Sequence, residues 1–207
     1  RAMCSTIQCR CSLLAAALLS LTTLSAVALS PVALPTGGQI TAGQGGIQQN
    51  GLSMVVNQAT QNLIVNWQSF DIGSAASVRF AQPNAQAAVL NRVMSAGPSQ
   101  IFGNLTANGR VYVVNPSGVV FGSTARVDTG GIVASTLQLS DRDFLAGKID
   151  LTATPGAGAV TNLGELAARE GGFVSLVGAS VDNAGRITAP GGQVALAAGE
   201  SVRLDIT

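Results

Sequence analysis

The sequence predicts an all-β protein built as a parallel β-solenoid, and three observations support this fold class. Beyond residue 33, short alternating apolar runs are separated by turn-forming residues, with almost no helical periodicity. Residues 160–166 recur 21 positions later at 181–187, and residues 171–176 recur 20 positions later at 191–196. Only 10% of residues are charged and 25 are glycine, so the solvated faces must consist largely of uncharged polar side chains and backbone. A repeat of this length with glycine corners is typical of a solenoid, in which each coil buries its apolar face against its neighbours.

Residues 1–33 are predicted to be a secretory signal peptide. Arg10 precedes an apolar stretch that starts at residue 13 and ends in a segment rich in Ala and Ser. Two cleavage positions are open, after Ala28 and after Ala33. A transmembrane anchor is the alternative, because the apolar run approaches the ~20 residues that span a bilayer, but several Ser and Thr residues interrupt it. Because the first residue is Arg and not Met, we expect the natural start to lie upstream.

The cysteines also indicate an exported chain. Cys4, Cys9 and Cys11 all precede the apolar stretch, so the mature domain is predicted to contain no thiol. The chain has no histidine and offers no fourth ligand near these cysteines, so we predict no metal site and no cofactor.

After the leader, the predicted strands are short and evenly spaced. The less repetitive region 34–56 is predicted to cap the first coil, because the end of a solenoid leaves strand edges open. The predicted strands cover residues 39–41, 53–57, 62–67, 77–80, 88–90, 110–114 and 119–121.

One helical turn is predicted between Ser140 and Gly147. Ser140 is expected to cap it, Asp141 and Asp143 lie at its positive start, and Gly147 ends it. A calcium site at Asp141 and Asp143 is the alternative, although no further ligands cluster nearby in the sequence.

The region 151–207 is predicted to continue the solenoid, and because it ends within a repeat at Thr207 we expect more coils to follow. A β-sandwich with a coincidental repeat is the alternative architecture. The apolar residues predicted to stack in the core are Val174, Leu176, Val194 and Leu196. Asn162 and Asn183 are predicted to form a ladder at one corner. The glycines predicted to adopt positive φ values are Gly164, Gly171, Gly185 and Gly191.

Charge and composition exclude several function classes. Without Arg1 and Arg10, nine basic groups face ten acidic groups, and no basic cluster exists for nucleic-acid binding. Without histidine or a mature cysteine, no Ser-His-Asp or Cys-His set is available, so no catalytic residues and no enzymatic activity are predicted. A paired-acid lyase is the alternative, but solvated turn positions explain the carboxylates better. These are Glu165, Glu170, Asp182, Glu200 and Asp205.

The most informative motif is the tetrapeptide Asn115-Pro116-Ser117-Gly118, which separates the predicted strands 110–114 and 119–121. It follows segments 88–93, 97–105 and 107–110 and precedes segment 130–137. In this order the motifs resemble the amino-terminal secretion domain of the filamentous-haemagglutinin family, the exported partners of two-partner secretion. The resemblance runs from about residue 34 to about residue 146. The family signature is Asn-Pro-Asn-Gly, and Ser117 stands at its third position; a second Asn-Pro-Asn motif is missing, which points to adhesin or haem-utilisation exoproteins.

The resemblance implies a right-handed parallel β-helix with an amino-terminal cap, in which residues 34–150 form the secretion domain. It implies export across the inner membrane by the general secretory translocon. It further implies recognition of the extended chain by an outer-membrane two-partner transporter with periplasmic docking domains, a mode that β-augmentation suits. The expected product is a monomer, secreted or at the cell surface of a Gram-negative-type envelope, that nucleates folding there.

The resemblance also implies the candidate site, which consists of Asn91, Arg92, Asn115, Pro116, Ser117 and Gly118. These residues are expected either to bind the transporter or to nucleate folding, and a simple turn at residues 115–118 is the alternative. A free-standing β-helical adhesin or carbohydrate-binding protein is the alternative function. It would need an exposed aromatic or polar cluster, for which the chain offers one Trp, one Tyr and six Phe. The activity of the full-length protein, as toxin, adhesin or haem-capture protein, is expected outside this chain.

Overall fold

The computed structural model describes residues 28–205, which form a parallel β-solenoid of about seven turns, as predicted. Most strands are only three to six residues long, because turn-forming residues punctuate the apolar runs. The elements in chain order are β1 (Gln39–Ala42), β2 (Gly45–Asn50), β3 (Ser53–Gln58), β4 (Asn62–Trp67), β5 (Ser77–Ala81), β6 (Ala88–Val93), β7 (Ser99–Ile101), β8 (Asn104–Ala107), β9 (Arg110–Val114), β10 (Val119–Phe121), β11 (Arg126–Thr129), β12 (Gly131–Ser135), β13 (Gln138–Leu139), α1 (Asp141–Leu145), β14 (Ile149–Thr152), β15 (Ala159–Asn162), β16 (Glu165–Ala168), β17 (Phe173–Gly178), β18 (Ser180–Asn183), β19 (Arg186–Thr188), β20 (Gln193–Ala198) and β21 (Ser201–Leu204).

Three sheets form the walls of the solenoid. Sheet I has the order β1-β4-β6-β9-β12-β17-β20, sheet II has the order β2-β3-β5-β8-β11-β16-β19, and sheet III has the order β7-β10-β15-β18. A complete turn passes from sheet III to sheet II and then to sheet I, as β10, β11 and β12 do. The corner between sheets I and III therefore recurs once in each complete turn.

The core consists of apolar side chains that stack in register from coil to coil. In sheet I, Val89, Val111, Ile132, Val174 and Val194 lie opposite one another in successive strands. The first four are fully buried, but Val194 is 51% exposed. The same exposure is found for Leu196, which pairs with the buried Leu176. The predicted stacking is confirmed, but the predicted burial of Val194 and Leu196 is wrong, because no further described coil covers β20.

Two short strands cap the first turn, within the region predicted for this role. β1 pairs antiparallel with β4, and β2 pairs antiparallel with β3, whereas the strands of the following turns run parallel. These antiparallel pairs occupy strand edges that the first parallel strands would otherwise leave open.

An excursion, residues 136–158, leaves the solenoid between β12 and β15. Its strands β13 and β14 form an antiparallel outer sheet with β21, which returns from the end of β20. A second apolar cluster fills the space between this outer sheet and the outer face of sheet I. Within the excursion, Phe144 of α1 packs edge-on against Tyr112, with ring centroids 5.4 Å apart.

The helical turn is confirmed as α1. The Ser140 hydroxyl accepts a hydrogen bond from the Asp143 backbone N–H at 3.1 Å and donates to the Asp143 carboxylate at 2.6 Å. Gly147 follows with φ +73°. These contacts assign Asp143 to helix capping.

The glycine predictions for the repeat are half correct. Gly171 and Gly191 have φ values of +70° and +59°, as predicted. Gly164 and Gly185 do not have positive φ, so that prediction is wrong for them. A Cβ on Gly164 would lie 2.5 Å from the Gly122 carbonyl oxygen, and one on Gly185 would overlap the Gly164 carbonyl oxygen. At these two positions glycine is required by the close approach of neighbouring coils.

Most of the predicted leader, including Cys4, Cys9 and Cys11, lies outside the described residues, as does the Ile206-Thr207 terminus. Within residues 28–205, no helix has the length and apolar character needed to cross a membrane.

Candidate functional site

Asn115-Pro116-Ser117-Gly118 forms the corner that joins β9 of sheet I to β10 of sheet III. The Gly118 N–H donates to the Asn115 carbonyl oxygen at 3.1 Å, so the predicted β-turn is confirmed. Proline at the second position fixes φ near the value that a turn needs. Gly118 has φ +133°, a conformation that favours glycine.

The Asn115 side chain is fully buried, and both its Nδ2 and its Oδ1 form hydrogen bonds within the protein. Its Oδ1 accepts from the Ser117 N–H at 3.0 Å, which closes the turn. Its Nδ2 donates to the Gly97 carbonyl at 3.0 Å and to the Ser99 hydroxyl at 3.1 Å. Gly97 and Ser99 belong to the preceding coil, so one amide joins two coils.

The backbone of the turn is bonded to the coils on both sides. The Gly118 carbonyl accepts from the Ser99 N–H of the preceding coil at 2.9 Å, and the Pro116 carbonyl accepts from the Gly158 N–H at 2.8 Å. The Ser117 hydroxyl makes a longer bond of 3.3 Å to the Ser95 carbonyl. The turn is thus the middle layer of a three-layer corner.

Gly158 is the point at which the excursion returns to the solenoid, and Thr136 is where it leaves. The Thr136 hydroxyl donates to the Gly158 carbonyl at 3.0 Å and accepts from the Ala179 N–H of the next coil at 3.3 Å. Thr136 and Gly158 thus form the closed neck of the excursion, and this neck is bonded to the Pro116 carbonyl through the Gly158 N–H. A misplaced turn at residues 115–118 would remove the surface on which this neck closes.

Asn91 points into the solenoid and is fully buried. Its Oδ1 accepts from the Trp67 indole N–H at 3.0 Å, and its Nδ2 donates to the Tyr112 carbonyl at 3.2 Å. Burial also raises the pKa of the Tyr112 hydroxyl to about 12, and Arg110 opposes that shift only in part. Asn91 thus supplies the buried Trp67 indole with an acceptor and adds a side-chain bond to the backbone of β9.

Arg92, the next residue, points to the outer face of sheet I and holds the excursion. Its Nη2 donates to the Leu139 carbonyl at 2.7 Å and lies 2.7 Å from the Asp141 carboxylate. The Arg92 side chain is 16% exposed, whereas that of Asp141 is 52% exposed. The Leu139 carbonyl is therefore the better-shielded partner.

The two halves of the predicted site, residues 91–92 and residues 115–118, have neighbouring backbones, but their side chains point in different directions. Arg92 lies opposite Val114 in the pairing of β6 with β9, one residue before the turn. Asn91 points inward, Arg92 points outward, and Asn115 points toward the preceding corner. Of the six predicted residues, Arg92, Pro116 and Ser117 are partly exposed, and the other three are buried.

A second amide ladder, at another corner, was not predicted and includes the buried Gln58 and Gln82. Gln82 Nε2 donates to Gln58 Oε1 at 3.0 Å, and the backbone N–H of Gln82 donates to Asn108 Oδ1 at 2.8 Å. The spacings of 24 and 26 residues between these three positions match one coil, which was the available signal. The Asn162 and Asn183 ladder was predicted and is confirmed, with Nδ2 of Asn162 2.7 Å from Oδ1 of Asn183.

Carboxylates on the outer face of sheet II lie beside arginines. Glu165 lies 3.4 Å from Arg126, and Asp128 lies 3.6 Å from Arg169. Asp71 is different, because burial raises its pKa while the Gln100 N–H, at 2.8 Å, opposes that shift.

A family model described as the TPS secretion domain, where TPS denotes two-partner secretion, matches residues 32–206. The chain belongs to this family. The TPS match covers the cap, all turns and the outer sheet. The family is one of secretion domains of exported proteins, so this chain is a secretion domain of a two-partner exoprotein, and a dedicated outer-membrane transporter is implied as its partner.

The TPS domain is similar to two curated relatives and to a solved structure. It is 43% identical over 86 residues to a heme/hemopexin-binding protein of Haemophilus influenzae, which covers 42% of this chain and 9% of that protein. It is 35% identical over 158 residues to the heme/hemopexin-binding protein of H. influenzae strain Rd, which covers 72% of this chain and 17% of the relative. The chain thus spans less than a fifth of the length of these relatives.

The solved structure is the HMW1 secretion domain from H. influenzae. It superposes with a TM-score of 0.79 and 32% sequence identity, over 83% of this chain and 47% of that chain. The match supports the β-solenoid architecture of the TPS domain described above.

Proposed function

We propose that the Asn115–Gly118 corner acts in export by nucleating the solenoid once the chain emerges from its transporter. The observation that carries this proposal is the full burial of the Asn115 side chain, with bonds to its own turn and to the preceding coil. A group sequestered in this way is accessible to a transporter only before the domain folds. Any direct contact of Asn115 with the transporter must therefore precede folding.

Nucleation outside the cell fits the neighbour-to-neighbour architecture. Each coil pairs mainly with the coils before and after it, so the first completed corner provides a template for the next. Since the neck of the excursion closes on the Pro116 carbonyl, we assign the turn two tasks. It fixes the preceding coil, and it sets the point from which the outer sheet is built.

The proposal includes the finer points of export. The leader directs the chain through the general secretory translocon, and the periplasmic docking domains of the transporter pair with the extended chain by β-augmentation. The folded product is a monomer that is secreted or held at the surface of a Gram-negative-type envelope. Residues 34–150 form the recognised part, and 151–207 continue the coils.

The domain itself is proposed to have no catalytic activity. The support is that Glu165, one of the carboxylates considered for a lyase, lies beside Arg126, and that Asp128 of the same sheet lies beside Arg169. The names of the two curated relatives favour haem or hemopexin binding by the full-length exported protein. We place that activity outside the residues matched to the secretion-domain family.

Export with and without a cognate transporter tests the function. The wild-type chain and Asn115→Ala are expressed in a Gram-negative host, and the amounts in medium and periplasm are compared. Wild type is expected in the medium only with the transporter, and Asn115→Ala is expected to remain largely in the periplasm. Transporter-independent appearance in the medium would instead support a free-standing β-helical adhesin or carbohydrate-binding protein.

A matched control separates folding from recognition. Ser117→Asn restores the residue usual in the family signature and leaves the Asn115 contacts in place, so export near the wild-type level is expected. A second variant replaces the buried Val111 with Thr, which leaves the turn unchanged but weakens the core. Slower export of Val111→Thr is expected if folding draws the chain outward, whereas an unchanged rate contradicts nucleation.

A further inference from the structure

The residues just before the cap are built into the first turn of the solenoid. The Gly73 N–H donates to the Ala33 carbonyl at 2.9 Å, and the Ala75 N–H donates to the Pro31 carbonyl at 2.8 Å. A turn between Ser30 and Ala33, closed by a 3.0 Å hydrogen bond, presents both carbonyl groups to this loop. Residues 30–33 therefore contact the loop that leads into β5.

Gly73 shows how closely this segment approaches. A Cβ at position 73 would overlap the carbonyl oxygens of Ser30 and Pro31. Gly73 is buried and has no positive φ in this fold, so the close approach of residues 30–31 is the reason that only glycine fits. A loop shaped for these residues implies that they are present in the folded domain.

Removal of residues 1–33 would leave this loop incomplete. The Gly73 and Ala75 N–H groups would both lose their protein acceptors, which are the carbonyl oxygens of Ala33 and Pro31. A new amino terminus at Leu29 keeps both hydrogen bonds, and because Ala28 and Ser30 are exposed, the α-ammonium group there can remain solvated.

The sequence around the two open cleavage positions favours the same choice. Cleavage after Ala28 places Ala at the last and third-last positions of the leader, which is the small-x-small pattern of processing sites. Cleavage after Ala33 would place Pro31 at the third-last position.

We infer that the leader is cleaved between Ala28 and Leu29 and that residues 29–33 remain in the exported domain as part of its cap. Water adds across this peptide bond, which leaves a carboxylate on Ala28 and an α-ammonium group on Leu29. The inference rests on the proposal that the leader enters the general secretory route. It does not depend on the transporter, because processing takes place before the outer membrane is reached.

The test therefore uses a Gram-negative host without a two-partner transporter, in which the chain is expressed behind an initiator methionine. The periplasmic product is analysed by amino-terminal sequencing and intact mass. An amino terminus at Leu29 supports the inference, whereas an amino terminus at Leu34, any other amino terminus, or an uncleaved chain overturns it. Failure of the transporter proposal would leave this result unchanged.

Two matched variants give an independent readout. Ala28→Leu is expected to accumulate as the unprocessed chain, because a large residue then occupies the last leader position. Ala33→Leu is expected to be processed like the wild type. The reverse pattern, with processing lost only in Ala33→Leu, would overturn the inference. In the processed wild-type protein, slow hydrogen exchange is expected at the amides of Gly73 and Ala75, and fast exchange at both would contradict retention of residues 29–33.

Discussion

Replacement of Asn115 by alanine tests whether the turn is a folding element. The substitution removes three hydrogen bonds and leaves the Gly97 carbonyl, the Ser99 hydroxyl and the Ser117 N–H without their partner. At a net ~0.5–1.5 kcal/mol for each of the three bonds, the free energy of unfolding should fall by about 1.5–4.5 kcal/mol. This is a large fraction of the ~5–15 kcal/mol that stabilises a typical domain.

The assay is urea denaturation of the exported, purified domain, followed by the fluorescence of its one tryptophan, Trp67. Trp67 is 1% exposed and its indole is bonded inside the solenoid, so unfolding will change its emission. Ser117→Ala is the matched control in the same turn. Its partly exposed hydroxyl makes one bond of 3.3 Å, and a loss of no more than about 0.5–1 kcal/mol is expected.

Stability and export must be read together in this experiment. If the free energy of unfolding of Asn115→Ala lies within about 0.5 kcal/mol of the wild-type value and the variant still fails to be exported, the nucleation proposal is refuted. The asparagine would then act as a ligand of the transporter. Loss of stability together with loss of export supports nucleation.

Three further predictions concern the corner, the excursion and the core. Gly118→Ala should lower the free energy of unfolding by about 1–3 kcal/mol, because φ is +133° there, whereas Gly97→Ala, whose Cβ would meet no atom within 4 Å, should cost less in the same denaturation assay. Arg92→Ala removes a charge-assisted bond to the Leu139 carbonyl worth ~1.5–3 kcal/mol and should increase hydrogen exchange in β13 and β14 more than in β9. Burial raises the pKa of Tyr112 from 10.0 to about 12, so its contribution to stability is present below pH 10 and is lost as the pH rises from about 10 through about 12. Ultraviolet titration of phenolate should therefore show no ionisation of Tyr112 in the folded domain at pH 10. A transition at pH 10 would contradict its burial.

Local patterns in the sequence were sufficient to predict the coils. The repeat that relates Val174 to Val194 predicted parallel stacking, and the register confirms it. The strands around Asn115 and the turn between them were equally predictable, because proline and glycine restrict the backbone within a few residues. The exposure of Val194 was not predictable, since it depends on whether a further coil packs against β20.

The structure places Asn91 and Arg92 on β6 and residues 115–118 in a turn, but the sequence said little about the contacts of these residues. Arg92 reaches Leu139, 47 residues later, across an excursion that follows no repeat. Gly164 was predicted to need a positive φ, but its actual constraint is the Gly122 carbonyl in a neighbouring coil. Both outcomes depend on pairs of residues that are distant in the chain, for which a single sequence carries no periodic signal.

The sequence by itself determined the solenoid class, the position of the Asn115–Gly118 turn and the resemblance to secretion domains, because all three depend on short-range periodicity and backbone preference. The tertiary structure decided which way each side chain points. It showed Asn115 bonded to the preceding coil, Arg92 bonded to the excursion, and residues 30–33 packed on Gly73. The physical reason is that coil-to-coil contacts form only when distant segments are brought within hydrogen-bonding range, and that geometry belongs to the folded chain.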